Sequence, residues 1–171
     1  MATEARDGAL ALPAFDRPVK LLIVAAPFYR AVADSLVAGA RAMAERAGAT
    51  AEVVEVPGAL EIPPAIGMAF RMADHDGFVA LGCVIRGETT HYETVCAESA
   101  RGLMHLGLMG AAVGNGILTV ETMDQAVVRA DPAGMDKGGG AAAAALHLVA
   151  LQRGWARRSK GMGFRPAGEG A

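Results

Sequence analysis

The sequence predicts an α/β fold, a three-layer α/β/α sandwich built on a four-stranded parallel sheet, preceded by an N-terminal arm. Four short runs typical of strands, the third of them continuously apolar, alternate with segments of helical length, as in a parallel sheet whose strands are joined by crossover helices. Each run ends in a distinctive loop. Because the carboxyl ends of parallel strands meet at one edge of a sheet, we expect these loops to form the ligand-binding edge.

Composition limits the classes of function. The chain has 171 residues, a formal charge of −2 and no apolar run near the roughly 18 residues that span a bilayer, so we expect one main domain and neither a nucleic-acid nor a membrane partner. The N-terminus lacks the basic and apolar zones of a signal peptide, which favours a cytoplasmic location. The two cysteines, Cys83 and Cys96, have no metal-ligand spacing and are expected to act as small core residues.

The first half of the chain contains two strands and two helices. Residues 20–26 form the first strand, and the helix over 30–47 has Val32, Leu36, Ala40 and Met43 on one face. A second strand covers residues 52–56. Tandem prolines at 63 and 64 are tolerated only in a first helical turn, so the second helix is expected over about 62–73.

The third strand, residues 78–85, leads into the most informative stretch. Thr90 and Glu93 have the spacing of a capping box, in which each side chain bonds a free backbone N–H group at the start of a helix. The helix is therefore predicted over about 91–107, with one inward-facing stripe of side chains: Val95, Cys96, Ser99, Ala100 and Leu103.

The fourth strand is predicted over 111–120, broken by Gly114-Asn115-Gly116, where the backbone must bend or approach another group closely. Thr122 and Gln125 form a second capping-box pattern, which opens a short helix ending near residues 129–130. Three glycines then lead into an Ala-rich helix over about 141–153. We expect an arm over 1–17, a domain over 18–154 and a disordered tail over 155–171.

Three groups of residues at the predicted edge suggest chemistry. His91 can move protons near neutral pH, or it can simply help to cap its helix. Thr89, Thr90 and the helix amides suggest an anion or phosphate site. Arg129 and Lys137 are candidates to neutralise that anion, although a basic residue at a helix end more often interacts with the dipole or with solvent.

Other polar and aromatic residues have two readings each. Glu61 accepts hydrogen bonds from a ligand or is an ordinary charge at a helix start, and Phe28 stacks on a planar ring or fills the core. Arg86 and Glu88 pair with each other or with a neighbouring chain. His75 and His105 are expected in solvent.

Three motifs in this order resemble one family. Residues 57–63 (PGALEIP), residues 81–92 (LGCVIRGETTHY) and residues 116–121 (GILTVE), the last followed by Gln125, Ala126 and Arg129, are similar to 6,7-dimethyl-8-ribityllumazine synthases. The resemblance covers about residues 20–153. It implies the condensation of 5-amino-6-(D-ribitylamino)uracil with 3,4-dihydroxy-2-butanone 4-phosphate, the penultimate step of riboflavin biosynthesis, without metal or organic cofactor.

The resemblance also implies residue roles. Phe28 would stack on the pyrimidine, and His91 would donate and accept protons. The remaining contacts fall into three groups: the ribityl chain and ring on Ala59, Leu60 and Glu61; the ring on the backbone of Cys83, Val84 and Ile85; and phosphate on Glu88, Thr89, Arg129 and Lys137.

Two departures from the family pattern concern assembly. Asn115 stands where many members have a Phe that completes the pocket of a neighbouring subunit, so a polar contact replaces stacking there. The loop at 130–136 lacks the pattern of members that build sixty-subunit shells, which favours an isolated homopentamer. The resemblance places active sites between subunits, with Phe28, Glu61 and His91 from one chain and Asn115, Arg129 and Lys137 from the next.

Three alternatives remain at this point. A non-catalytic paralogue would bind flavin or lumazine without making it. A flavodoxin-like nucleotide-binding module shares the predicted topology, but Pro27-Phe28-Tyr29-Arg30 replaces the Gly-rich phosphate loop after the first strand. A cysteine hydrolase would need Cys83 or Cys96 as the nucleophile, and their apolar and helical settings argue against it.

Overall fold

The computed structural model describes residues 10–161, which form a four-stranded parallel sheet with helices on both faces. The strand order is β2-β1-β3-β4, so the predicted three-layer α/β/α architecture is confirmed. Short 3-10 turns at Pro27–Tyr29 and Ala59–Glu61 precede the first two helices. In chain order the elements are β1 (Lys20–Ala25), α1 (Arg30–Arg46), β2 (Thr50–Glu55), α2 (Ile62–Met72), β3 (Gly77–Ile85), α3 (His91–Leu108), β4 (Val113–Val120), α4 (Met123–Ala130) and α5 (Lys137–Gly161).

The sheet separates two apolar clusters, because successive side chains of a strand point to opposite faces. On β1, Leu21 and Ile23 pack beneath α1, α4 and α5, whereas Leu22 and Val24 pack beneath α2 and α3. The central strand β3 is buried over its first seven residues. This double-sided burial accounts for the continuous apolar runs in the sequence.

Strand β4 runs without a break through its two glycines, contrary to the predicted interruption. A Cβ atom on Gly114 would lie 1.9 Å from the carbonyl oxygen of Ala141 in α5. The glycine therefore lets the helix pack directly on the strand backbone, which is the close approach that the pattern also allowed.

Helix α5 begins at Lys137, four residues before the predicted start, because packing overrides the low helix propensity of its glycines. The carboxylate of Asp136 accepts a hydrogen bond from the Gly139 amide at 2.9 Å and so caps the first turn. The helix continues to Gly161, so residues 155–161 are helical where an irregular tail was expected. The rest of that tail, 162–171, and the first nine residues of the arm lie outside the described residues.

The described part of the arm packs on its own chain. Leu12 and Phe15 are half-buried against the α1–α5 cluster. The guanidinium of Arg153, only 9% exposed, donates hydrogen bonds to the carbonyl oxygens of Arg17 and Pro18 at 2.9 and 2.8 Å and pairs with Asp76 at 2.9 Å. Arg153 thus fastens the arm to the amino edge of the sheet.

Two expectations about individual side chains were wrong. His75 is not in solvent: its side chain is 13% exposed, its Nε2 lies 3.1 Å from a Glu52 carboxylate oxygen, and its ring packs edge-on against Phe78. On α3, Ala100 is exposed and Cys96 is half-buried, while Val95, Ser99 and Leu103 are buried as predicted. Within residues 10–161, no helix is long and apolar enough to cross a membrane.

Candidate active site

An open cavity of about 530 Å³ lies at the carboxyl edge of the sheet, beyond the ends of β1 and β3. The chain leaves β1 toward β2 on one side and reaches β3 on the other, so this is the point where the strand order reverses and where ligands bind in open α/β folds. The volume is ample for a small-molecule ligand. The lining residues are Phe28, Tyr29, Pro57, Gly58, Ala59, Leu60, Glu61, Cys83, Val84, Ile85, Gly87, Thr89, His91, Tyr92 and Val95.

Phe28 forms an aromatic wall of this cavity. Pro27 starts a 3-10 turn directly after β1, and Phe28 is carried outward on it with 74% of its surface exposed. Its ring meets that of Tyr29 edge-on, with centroids 5.1 Å apart. The alternative that Phe28 fills the core is therefore wrong, and its ring is free to contact a planar ligand.

The turn after β2 supplies the next wall. Gly58 opens the 3-10 turn Ala59–Glu61, and the Glu61 amide donates to the Gly58 carbonyl oxygen at 3.1 Å. A Cβ on Gly58 would lie 3.0 Å from a Glu61 carboxylate oxygen, so the glycine makes room for that carboxylate. Glu61 is exposed and its side chain faces the cavity as a hydrogen-bond acceptor.

The end of β3 forms the floor. Cys83 is buried and Val84 and Ile85 are half-buried as the strand leaves the core. Burial raises the pKa of the Cys83 thiol to about 11. A protonated thiol in apolar surroundings is a poor nucleophile, which argues against the cysteine-hydrolase alternative.

His91 is the first residue of α3, and its exposed side chain lines the cavity. Its amide donates to the Thr89 hydroxyl oxygen at 3.4 Å. The predicted capping box is wrong: Thr90 has helical dihedrals (φ −67°, ψ 0°), its hydroxyl accepts no cap hydrogen bond, and Glu93 pairs with Arg86 instead. The start of α3 is thus held differently from what the sequence pattern indicated.

Arg86 is the residue that holds the start of α3 in place of the capping box. Its guanidinium pairs with Glu93 in the first turn of α3 and, through Nε at 2.7 Å, with Glu121 just after β4. It also lies 4.2 Å from the centroid of the Tyr92 ring, in a cation–π contact. The hydrogen bond that Arg86 donates lowers the pKa of the Glu93 carboxyl, and donation to the Glu93 and Glu121 carboxylates raises the pKa of the guanidinium. Within its own chain, Arg86 therefore pairs with Glu93 and Glu121 and not with Glu88.

Comparison with known proteins identifies this arrangement. Residues 18–153 match the family model described as 6,7-dimethyl-8-ribityllumazine synthase. The chain belongs to that family. Similar relatives carry the same name: one from Jannaschia sp. (strain CCS1) is 53% identical over 162 residues, covering 95% of this chain and 91% of the relative. Another from Novosphingobium aromaticivorans is 60% identical over 136 residues, covering 80% of this chain and 98% of the relative.

Four residues to which the lumazine synthase resemblance gives a role do not line the cavity of this chain: Glu88, Asn115, Arg129 and Lys137. Asn115 lies exposed on edge strand β4, where its side-chain oxygen accepts from the Ile117 amide at 2.9 Å. Arg129 is half-buried and donates to the Gln125 carbonyl oxygen at 3.1 Å, and Lys137 is the exposed first residue of α5. One chain therefore gathers the predicted pyrimidine side of a lumazine synthase site together with Thr89 and His91.

The helix that carries Arg129 is capped as the sequence predicted. The Thr122 hydroxyl accepts from the Gln125 amide at 3.3 Å, and the Gln125 side chain accepts from the Glu121 amide at 3.0 Å. The second contact is one residue earlier than in the usual capping box.

Sequence reasoning missed several lining residues of this lumazine synthase cavity. Tyr29, Pro57, Tyr92 and Val95 each lie within four residues of a predicted site residue, so the turn positions themselves were the available signal. The partners of Arg86 had no such signal, because they are 7 and 35 residues away in the sequence. Among residues 10–161 there is no group of three or more His, Cys, Asp or Glu side chains that could hold a metal ion.

Proposed function

We propose that this chain catalyses the condensation of 5-amino-6-(D-ribitylamino)uracil with 3,4-dihydroxy-2-butanone 4-phosphate to give 6,7-dimethyl-8-ribityllumazine. The proposal rests on one observation: the chain that matches this family also has a cavity lined by the residues that the reaction needs. In a chain that matches the lumazine synthase model over residues 18–153, the switch-point cavity is lined by Phe28, Glu61, Thr89 and His91.

The proposed roles follow the chemistry of each wall. Phe28 stacks on the pyrimidine, Glu61 and the turn Ala59–Glu61 hold the ring and ribityl hydroxyls, and backbone groups of residues 83–85 contact the ring edge. Thr89 and the amides of residues 88 and 89, at the positive end of the α3 dipole, receive the phosphate.

His91 is proposed to move the protons. The 5-amino group attacks the ketone carbon and water leaves, giving an imine. A proton is then lost from the adjacent carbon, the C–O bond to phosphate breaks, and the enol that forms becomes a ketone. The ribitylamino nitrogen attacks this carbonyl and a second water leaves. The balance is one phosphate and two waters, with no oxidant or reductant, and an imidazole beside the reacting atoms can serve each transfer in turn.

We also propose that the working unit is a homopentamer in which the next subunit completes each site with Asn115, Arg129 and Lys137. Two observations support this. These three residues lie away from the cavity of their own chain, and α2 and α3 expose a run of large apolar side chains typical of an interface. These side chains are Met68, Met72, Met104 and Leu108, and Met109 follows directly after α3. The two unpaired cysteines suit a reducing compartment, in keeping with the proposed cytoplasmic location.

Activity is tested by supplying both substrates to the purified full-length chain and following lumazine by absorbance and mass. We expect product and stoichiometric phosphate. Binding of lumazine or flavin without product formation would instead support the non-catalytic alternative.

The shared site is tested by subunit mixing. His91→Ala and Arg129→Ala chains are purified separately, then dissociated and reassembled together. If one chain supplies His91 and its neighbour Arg129, mixed assemblies contain intact sites and regain activity above either parent. If both residues serve a site within one chain, mixing restores nothing. Light scattering on each sample reports the number of subunits.

A further inference from the structure

Arg86 occupies an unusual position for a surface arginine beside a site. It follows the last residue of β3, and its amide still continues the ladder by donating to the Val120 carbonyl oxygen at 2.9 Å. Its guanidinium reaches Glu93 and Glu121 and covers the Tyr92 ring. One side chain thus links the ends of β3 and β4 to the first helical turn behind His91.

The carboxylate of Glu93 has an alternative position, at the N-terminus of α3. Thr90 is the N-cap of α3, so Glu93 is at the third helical position, where a glutamate ordinarily bends back to accept from the N-cap amide. In that position the carboxylate would lie at the helix N-terminus, occupying an N–H group and placing a negative charge where an anion would bind.

The contact with Arg86 prevents this. It draws the Glu93 carboxylate to the side of the helix that faces Glu121, where its backbone partner is its own amide and not the Thr90 amide, and the Thr90 side chain does not cap the turn in its place. The threonine and glutamate of a capping box are present, yet the structure leaves the box unformed at the start of α3, beside Thr89 and His91 in the cavity wall. At α4, which does not face the cavity, the equivalent Thr122 does cap.

We propose that Arg86 is a positioning residue for phosphate. By holding Glu93, it keeps the N-terminus of α3 open to the phosphate group of the substrate. This inference rests on the proposed function, since it assumes that phosphate binds there. Arg86 does not line the cavity and acts through Glu93.

The test compares variants of the full-length assembled protein by the inhibition constant of inorganic phosphate and by the KM of each substrate. In Arg86→Gln, Glu93 is released to cap the helix. We expect the phosphate inhibition constant and the KM for the ketone phosphate to rise about tenfold, as for the loss of a charged hydrogen bond. The KM for the pyrimidine should stay within about twofold, because its contacts lie on other walls of the cavity.

A second substitution separates this account from a general charge effect. Arg86→Gln/Glu93→Ala removes the competing carboxylate and should restore phosphate affinity. Arg86→Gln/Glu121→Ala has the same net charge but keeps Glu93, so it should remain weak. Equal restoration by both double variants would overturn the proposal in favour of long-range charge, and unchanged phosphate affinity in Arg86→Gln would overturn it outright.

Three further outcomes keep the test decisive. If Arg86→Gln does not assemble, Glu93→Ala alone is measured, and weakened phosphate binding there would contradict a competing role for this carboxylate. If the unmodified protein forms no lumazine, the proposed function fails and this inference falls with it. If the unmodified protein is active and Arg86→Gln matches it in all three constants, only the role of Arg86 is lost.

Discussion

Gly138 of α5 lies directly against the main chain at Leu36 of α1. A Cβ on Gly138 would be 2.0 Å from the Leu36 carbonyl oxygen, whereas one on Gly140, two residues along the same helix, would meet nothing within 4 Å. The two helices therefore approach at a distance that only a missing side chain allows.

This pair of glycines gives a matched stability test. Gly138→Ala should lower the free energy of unfolding by about 1–3 kcal/mol or more, because backbone must move to admit the methyl group. Gly140→Ala should be neutral or stabilising by up to about 1 kcal/mol, since alanine favours a helix. Urea unfolding of both variants checks this, and equal effects would mean that the close approach is not strained by a methyl group.

His91→Ala should slow turnover by about 10²-fold, the low end of the range for general acid–base catalysis, without abolishing it. Holding two reactive molecules together accounts for much of the acceleration, and that contribution survives the substitution. Single-turnover rates at saturating substrates measure the loss. His105→Ala, on the exposed face of the same helix, is the control and should leave the rate unchanged. A folded His91→Ala variant that binds both substrates but is wholly inactive would contradict this division of the rate acceleration between proximity and proton transfer.

Arg153→Met should destabilise the fold by about 2 kcal/mol. It removes a guanidinium that is 9% exposed and leaves Asp76 and two backbone carbonyl oxygens without that donor. Arg101→Met is the control, because the exposed Arg101–Glu98 pair on α3 should change the free energy of unfolding by no more than about 0.5 kcal/mol. Thermal and urea unfolding compare them, and equal losses would show that the arm is not fastened by Arg153.

The two cysteines should differ in alkylation rate. Burial raises the pKa of Cys83 to about 11, so at pH 8 almost none of it is thiolate, while Cys96 is partly exposed. Iodoacetamide followed by peptide mass spectrometry should modify Cys96 first. Labelling of Cys83 should rise only as the pH approaches 11. In the folded protein the Cys83 thiol keeps its proton at pH values at which the thiol of the unfolded chain has already lost it. Rapid labelling of Cys83 at pH 8 would contradict its burial.

The order of strands and helices could be predicted from the sequence because the two inner strands are buried on both faces, which requires an unbroken apolar run at Leu21–Ala25 and again across β3. The start of α5 could not, since glycine propensity argues against a helix there and only the approach of Leu36 explains Gly138. The burial of His75 was not predicted, because its neighbours in the sequence are polar. In the fold its ring contacts the Glu52 and Phe78 side chains.

Within the candidate site, the residues in the segments that connect a strand to the next helix were predictable, because the parallel sheet brings the carboxyl ends of its strands together. Phe28, Glu61, Thr89 and His91 all line the cavity. The capping box at Thr90 and Glu93 failed for a non-local reason. The Glu93 carboxylate pairs with Arg86 instead of accepting from the Thr90 amide, and Arg86 is positioned by the end of β3.

The exposure of Phe28 has a thermodynamic consequence. With 74% of this side chain in water, a planar ligand that covers the ring removes apolar surface from solvent. Burial of such surface lowers the heat capacity, so the binding enthalpy should become more favourable as temperature rises. Truncating the ring should make the binding enthalpy depend less on temperature. Calorimetry at several temperatures would then separate the contribution of the Phe28 ring from that of any hydrogen bond.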